Sequence, residues 1–300
     1  MKIVVTGASG LVGHRLVPAL ESKGHEVLRL VRNAPADPRE VRWDPSKGTI
    51  DAGALEGVDA AVHLAGENLA EGRWTDEKKL RIRESRVKGT RLISETLAGL
   101  ARKPEVLVSA SAVGFYGSRG AEVLTERSAP GDDFLADVCR EWEQATDAAS
   151  AAGVRVAHMR FGVILSGEGG ALKKMLFPFR MGVGGKLGSG EQYVSWVTID
   201  DAVGAIEYAL ENKSLSGPVN VVAPRPVTNK EFTKAIGGAL SRPTIFPVPE
   251  FALRLLFGEM ADATLLSSQR AEPARLKESG YVFKHPEIGE ALRHVLGEKG

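Results

Sequence analysis

Lys2-Ile-Val-Val-Thr-Gly-Ala-Ser-Gly-Leu-Val-Gly13 is an apolar, β-branched run that breaks into glycines at Gly7, Gly10 and Gly13 and continues as an amphipathic helical pattern. Strand, turn and helix in that order outline a dinucleotide site. Gly7 permits the tight turn, Gly10 leaves no side chain between a pyrophosphate and the N–H groups of the helix N-terminus, and Gly13 lets the helix pack on the strand. Three spaced glycines mean little in a chain that holds 34 of them; their setting between a strand and a helix carries the inference. The expected cofactor contacts here are Thr6, Gly7, Ser9, Gly10, Leu11, Val12 and Gly13.

Strand-like runs alternate with helical patterns from this point to about residue 166, which predicts an α/β fold with a doubly wound parallel sheet. The runs read as a helix over Leu11–Lys23, strands over Glu26–Val31, Asp59–Ala65 and Glu105–Ser111, a charged helix over Thr75–Leu100, a helix over Phe134–Ala152 and one long strand over Arg155–Leu165. Beyond it lies a long glycine-rich stretch, with Ser166-Gly-Glu-Gly-Gly170 and Gly182-Val-Gly-Gly-Lys-Leu-Gly-Ser-Gly190 flanking the apolar Met175–Phe179. Loops of that length inside a domain are more often functional than idle. Val197–Asp201 then opens a helix with Asp200 or Asp201 placed to cap it, and Val219–Val222 is one more strand. The expected division is a Rossmann domain from 1–166 and 193–222 and a smaller substrate-binding C-terminal lobe from 167–192 and 223–300.

Composition excludes several classes of function. The chain has 300 residues, 39 basic and 38 acidic, a net charge of +1, and no Lys/Arg cluster on a nucleic-acid motif. Nucleic acid is therefore not an expected partner. Cys139 is the only cysteine, so an intrachain disulfide is impossible. No apolar leader precedes the first strand and no run approaches bilayer-spanning length, so the expected location is cytoplasmic, without a membrane. No His and acid pair has metal-ligand spacing, and no metal is expected. A monomer and a homodimer both remain open.

Arg32 follows the second strand, where an NAD enzyme holds a carboxylate against the ribose 2′-hydroxyl. A guanidinium there suits a 2′-phosphate, which points to NADP(H). Arg81 and Arg86, on the helix after the third strand, are further candidates for the cofactor phosphates. His63 and His158 lie among apolar strand neighbours and read as packed, hydrogen-bonded residues.

The G-x-x-G-x-x-G spacing after Thr6 resembles the short-chain dehydrogenase/reductase superfamily. His63-Leu-Ala-Gly66 resembles the segment whose backbone lines the adenosine side of the cofactor, adding Leu64, Ala65, Gly66 and Glu67 to the implied contacts, and Arg160-Phe-Gly-Val-Ile164 resembles the strand that approaches the nicotinamide, adding Ile164. Val108-Ser-Ala-Ser-Ala-Val-Gly-Phe-Tyr-Gly117 resembles the extended members' motif in which a Ser or Thr before a Tyr-Gly pair hydrogen-bonds the reacting oxygen. Ser111 is the candidate, Ser109 the second, with Tyr116 beside them.

The superfamily's Tyr-x-x-x-Lys pair is missing. With Glu143 taken as the acidic residue one turn beyond that motif, the Tyr position falls on Leu135 and the Lys position on Cys139. Neither transfers a proton in the usual way. Pro247–Met260, Leu265–Arg270, Ala65-Gly-Glu-Asn68, Ser166-Gly-Glu-Gly-Gly170, Pro178–Gly182 and Gly188-Ser-Gly190 resemble atypical members called epimerase family proteins, over essentially the whole chain. That resemblance implies NADP(H) and an oxidoreductase or epimerase acting on a small hydroxy or carbonyl compound. Tyr116, Tyr193, Glu67 and Asp133 are the candidates for a substitute acid; Lys186 reads first as a solvated loop lysine and second as a residue for an anionic substrate. The competing expectation is an NADPH-binding sensor without turnover.

Overall fold

Ile3 and Val5 of β1 (Lys2–Thr6) face one side of a sheet and Val4 the other, and all three are buried. A strand covered on both faces needs apolar residues in both phases of its period-two repeat, which is why this segment reads as a continuous apolar run. The computed structural model describes residues 1–297. After β1 come α1 (Leu11–Ser22), β2 (Glu26–Val31), β3 (Glu40–Asp44), β4 (Thr49–Ile50), β5 (Ala60–His63), α2 (Asp76–Gly99), β6 (Val106–Ala112) and β7 (Val123–Leu124). Then follow α3 (Phe134–Gln144), α4 (Asp147–Ala151), β8 (Arg155–Phe161), β9 (Val163–Leu165), α5 (Gly170–Arg180), β10 (Tyr193–Val194), β11 (Trp196–Thr198) and α6 (Ile199–Glu211). The chain continues through β12 (Gly217–Val221), β13 (Val227–Thr228), α7 (Asn229–Ala239), α8 (Glu250–Phe257), β14 (Arg270–Ala271), α9 (Ala274–Glu278) and α10 (Ile288–Leu296).

The main sheet has eight strands in the order β12-β8-β6-β5-β1-β2-β3-β4, all parallel except the β3–β4 pair. This is the doubly wound Rossmann arrangement, and its direction reverses between β1 and β5, so the crevice beyond their carboxyl ends is the place for a ligand. Leu16, Val17 and Leu20 of α1 with Ala202, Val203, Ile206 and Ala209 of α6 cover the face of Ile3, Val62, Val108 and Met159. Ile93 and Leu97 of α2 with Ala149 of α4 cover the face of Val4, Ala61, Leu107 and Val156. A third core joins Leu172, Leu176 and Phe179 of α5 to Phe232 and Ile236 of α7, Leu292 of α10 and Trp196.

Four expectations about elements are corrected. The helix expected over 134–152 is two helices, because the chain turns at Ala145–Thr146, where Thr146 Oγ1 donates to the Glu143 carbonyl. The long strand expected over 155–165 breaks at Gly162: a Cβ there would lie 2.5 Å from the Ser195 carbonyl oxygen, and β9 leaves the main sheet to pair with β11. Met175–Phe179, expected between two loops, lies in α5, whose Leu172, Leu176 and Phe179 recur at helical spacing on a buried face. The α6 cap is Thr198, whose side chain accepts from Asp201 N, while Asp200 and Asp201 occupy the first turn. Two short strands that the sequence pattern does not announce, β3 and β4, complete the sheet edge, where Trp43 packs edge-on against His63 at 6.1 Å.

Candidate functional site

Each glycine of the opening motif has a distinct steric reason. Gly7 has φ +69°, and a Cβ on it would lie 2.8 Å from the Leu64 carbonyl carbon, so it brings the ends of β1 and β5 together. A Cβ on Gly13 would lie 2.2 Å from the Gly7 carbonyl oxygen, so the first turn of α1 packs on the turn before it. Gly10 is exposed and is the N-cap of α1, with no side-chain cap and no acidic residue in the first turn. The N–H groups of that turn are thus left for a ligand, and the helix dipole favours an anion there. Ser9, Gly10, Leu11 and His14 line a cavity of about 530 Å³ closed on its other side by Asn68, Glu168, Gly169 and Gly170. The Leu11 side chain lies against Gly169 and Gly170, at the N-terminus of α5, and Val12 packs on the sheet core.

Thr6 is enclosed and serves the backbone. Its Oγ1 accepts from Leu64 N at 3.1 Å and Ala65 N at 3.2 Å and pairs with His63 Nδ1 at 2.7 Å. Burial pushes the His63 imidazole down to about 4, so it is neutral. Arg32, one strand over from Thr6, is exposed and pairs with no carboxylate among the described residues.

Arg86 is buried and already engaged, which corrects its expected place on the phosphates. Its guanidinium donates to the carbonyls of Ile82 and Glu67 and lies over the Trp142 ring, so it supports the Gly66–Glu67 turn from behind. Glu67 Oε1 accepts from Lys78 Nζ at 2.8 Å and has Arg81 Nε at 3.7 Å; the Lys78 hydrogen bond holds this carboxyl below its usual range. Arg81 is mostly exposed. Ile164 lies at the centre of β9, opposite Val197.

At the carboxyl end of β6, Ser111 Oγ donates to Glu143 Oε1 at 2.6 Å. Glu143 holds Arg160 in a fork, with Nε to Oε1 and Nη2 to Oε2 both at 2.8 Å, and Arg160 Nη1 donates to Tyr116 Oη at 3.0 Å. Tyr116 Oη donates in turn to Asn220 Oδ1 at 2.7 Å. The Arg160 guanidinium also stacks on Phe115, 3.4 Å from the ring centre. Tyr116 is 0% exposed, and burial pushes its phenol up to about 12. A phenol with both hydrogen-bonding roles filled and no open side cannot reach a ligand, so the structure corrects Tyr116 from an expected catalytic residue to a core residue.

Glu143, Arg160 and Asn220 were not singled out for this network, though a charged residue inside a buried strand such as Arg160 signals an obligatory partner. Leu135 and Cys139 do face the 113–116 turn: a Cβ on Gly114 would meet Leu135 Cβ at 3.6 Å and Cys139 Sγ at 3.9 Å. Burial, reinforced by Glu143, pushes the Cys139 thiol up to about 12. Ser109 is buried two residues earlier on the same strand. Asp133 caps α3, accepting from Ala136 N, and Lys186 Nζ donates to the Ser189 carbonyl. Tyr193 is half-buried under Arg270.

A family model described as the NAD dependent epimerase/dehydratase family matches residues 3–222, spanning the glycine turn, the Ser111 strand and β12. This chain belongs to that family. A second model, a domain of unknown function (DUF1731), matches 248–295. An epimerase family protein of Mycobacterium bovis is 45% identical over 300 residues, covering 99% of this chain and 98% of the relative. The crystal structure of human epimerase family protein SDR39U1 with NADPH superposes with a TM-score of 0.90 at 33% identity, covering 99% of both chains. A nucleoside-diphosphate sugar epimerase from Corynebacterium glutamicum superposes with a TM-score of 0.83 at 42% identity, covering 99% of this chain and 58% of that one. Among the described residues of this family member, no helix is long and apolar enough to cross a membrane.

Proposed function

We propose that the chain is an NADP(H)-dependent oxidoreductase or epimerase acting on a small hydroxy or carbonyl compound, nucleotide sugars included. The uncapped N-terminus of α1 at the β1/β5 switch point carries the reading. A Cβ-free Gly10 and free first-turn N–H groups fit a pyrophosphate, and an unpaired guanidinium at Arg32 fits a 2′-phosphate. The human relative that was crystallised with NADPH supports the same choice of cofactor. Bound NADP(H) supplies or accepts a hydride at the nicotinamide. The substrate would lie between the sheet edge and the lobe of 167–192 and 223–300, and the buried lone thiol suits a reducing compartment such as the cytoplasm.

Ser111 is the residue assigned to the reacting oxygen. Its own proton is committed to Glu143, so Oγ presents lone pairs and is set to accept from a substrate hydroxyl. When that alcohol loses hydride, its proton passes to Ser111 Oγ as the serine proton passes to Glu143, which leaves a carbonyl and a protonated carboxyl. This relay takes the place of the absent Tyr and Lys. The apolar Leu135 and Cys139 favour a second reading, an NADPH sensor without turnover; a screen of hydroxy and carbonyl compounds for NADPH oxidation or NADP⁺ reduction separates the two.

Fluorescence titration with NADPH and NADH tests the cofactor reading. NADPH should bind at least about tenfold more tightly, and Arg32→Glu should reverse the order, because the charge-assisted contact to the 2′-phosphate becomes a repulsion. Equal wild-type affinities for the two would overturn it.

A further inference from the structure

Asp200, His285 and His294 meet beside Arg15 of α1, and one ligand-capable atom from each lies within 4.8 Å of the others. They come from three places in the chain: the first turn of α6, the segment before α10, and the last turn of α10. We infer that Asp200, His285 and His294, with Glu290 as the fourth ligand, form a structural binding site for a divalent transition-metal ion of the Zn²⁺ class, which clips α10 to α6. The inference is independent of the cofactor reading above.

Two imidazoles with carboxylate oxygens are a donor set suited to Zn²⁺ or its neighbours and ill-suited to Mg²⁺ or Ca²⁺. Glu290 and His294 are four residues apart on α10 and share a face, and Glu290 Oε1 lies 3.6 Å from His285 Nδ1. That ring nitrogen is buried and has no hydrogen-bond partner, so it is a donor atom in want of an acceptor or a cation. His294 Nε2 and Asp200 Oδ2 are 2.8 Å apart; the two imidazoles stack with centres 4.0 Å apart, so one ring must turn out of the stack for both nitrogen lone pairs to converge on an ion. A tetrahedral ion with bonds near 2.0–2.1 Å holds its ligand atoms roughly 3.4 Å apart, a spacing that atoms lying within 4.8 Å of one another reach once an imidazole turns about its side-chain bonds.

The surroundings hold the ligands in place. Asp201, fully buried, accepts from the backbone N–H of Lys284 at 2.7 Å and of His285 at 3.0 Å, which sets His285 beside His294. Arg15 takes Asp200 Oδ1 at 3.3 Å and leaves Oδ2 for the cluster, the kind of outer contact that orients a ligating carboxylate. Glu168, 3.7 Å from Arg15, balances that cation. Spacing along the chain does not announce the cluster, since Asp200 is 94 residues from His294 and only the fold, which packs α10 on α7 and brings its last turn to the start of α6, unites them.

The test is calorimetric titration of the chelator-stripped full chain with Zn²⁺ alone, at about pH 7.5 and about pH 5.5, with thermal melts in parallel. Near neutrality one equivalent should bind per chain, releasing protons and raising the melting temperature. At the acidic pH the affinity should fall at least about tenfold, because ligating imidazoles must be deprotonated. His285→Ala and His294→Ala should each weaken binding at least about tenfold while NADPH affinity is unchanged. A wild-type chain that takes up no Zn²⁺ near neutrality, or binds it equally at both pH values, overturns the site and leaves an Asp–His ion pair with a stacked neighbour. Folded His285→Ala and His294→Ala variants that bind Zn²⁺ as the wild type does also overturn it; if the variants fail to fold, the wild-type pH dependence and proton release decide.

Discussion

Ser111 and Cys139 are both enclosed near the end of β6, yet their surroundings give them opposite chemistry. Ser111 has a carboxylate to receive its proton, whereas the Cys139 thiol is held neutral by burial and by that same carboxylate. Ser111→Ala should therefore reduce NADPH-dependent turnover roughly a hundredfold, the scale of a lost proton-transfer group, with cofactor affinity intact. Cys139→Ala should keep full turnover, and the native thiol should react slowly with alkylating reagents. Steady-state kinetics of the two variants decide the matter: a fully active Ser111→Ala removes the assignment, and an inactive Cys139→Ala that still binds NADPH shows a role for the thiol. Tyr116→Phe acts differently. It leaves Asn220 and Arg160 each short of a partner, so its effect should appear as about 1–3 kcal/mol of lost stability in denaturant titration.

Among the elements, α1 shows how a helix end becomes a binding device. Three glycines do three jobs, and substitution separates them. Gly10→Val should fold, because the only near neighbour of a Cβ there is the Gly7 carbonyl at 3.2 Å, but the branched side chain stands where the pyrophosphate meets the backbone. NADPH binding should disappear while the circular dichroism spectrum is kept; retained affinity in a folded variant would reduce the motif to a turn. Gly13→Ala places a methyl 2.2 Å from a backbone oxygen and should instead impair folding. Elements whose boundaries rest on local signals, such as Thr75 capping α2, were legible in the sequence. The break at Gly162 was not, because what bends the chain there is the Ser195 backbone, 33 residues away in sequence and in contact only after folding.

Across the whole molecule, two cores flank a sheet whose central strands carry His63 with its imidazole fully enclosed. Burial lowers this histidine from 6.5 to about 4, so below pH 6.5 the unfolded chain takes up a proton that the folded chain refuses. The contribution of the neutral histidine is complete above pH 6.5 and is lost as the pH falls towards 4. Between pH 7 and pH 5 the loss should be roughly 2 kcal/mol in unfolding free energy, read by urea denaturation. His63→Asn should flatten that slope; a variant with the wild-type slope would place the acid sensitivity elsewhere.

The sequence by itself determined the parallel sheet, the nucleotide turn and the absence of the Tyr and Lys pair. Each of these depends on spacing along the chain: period two for strands buried on both faces, a glycine at every third residue, one helical turn between Leu135 and Cys139. Only the tertiary structure decided how the polar residues pair. Ser111 reaches Glu143 across 32 residues and Tyr116 reaches Asn220 across 104, through strand register and helix packing that no local pattern encodes. The same holds for Arg86, which on spacing alone faces a phosphate and in the fold braces a turn, and for Asp200, His285 and His294. A buried polar group must find a partner, but the chain's topology selects which one.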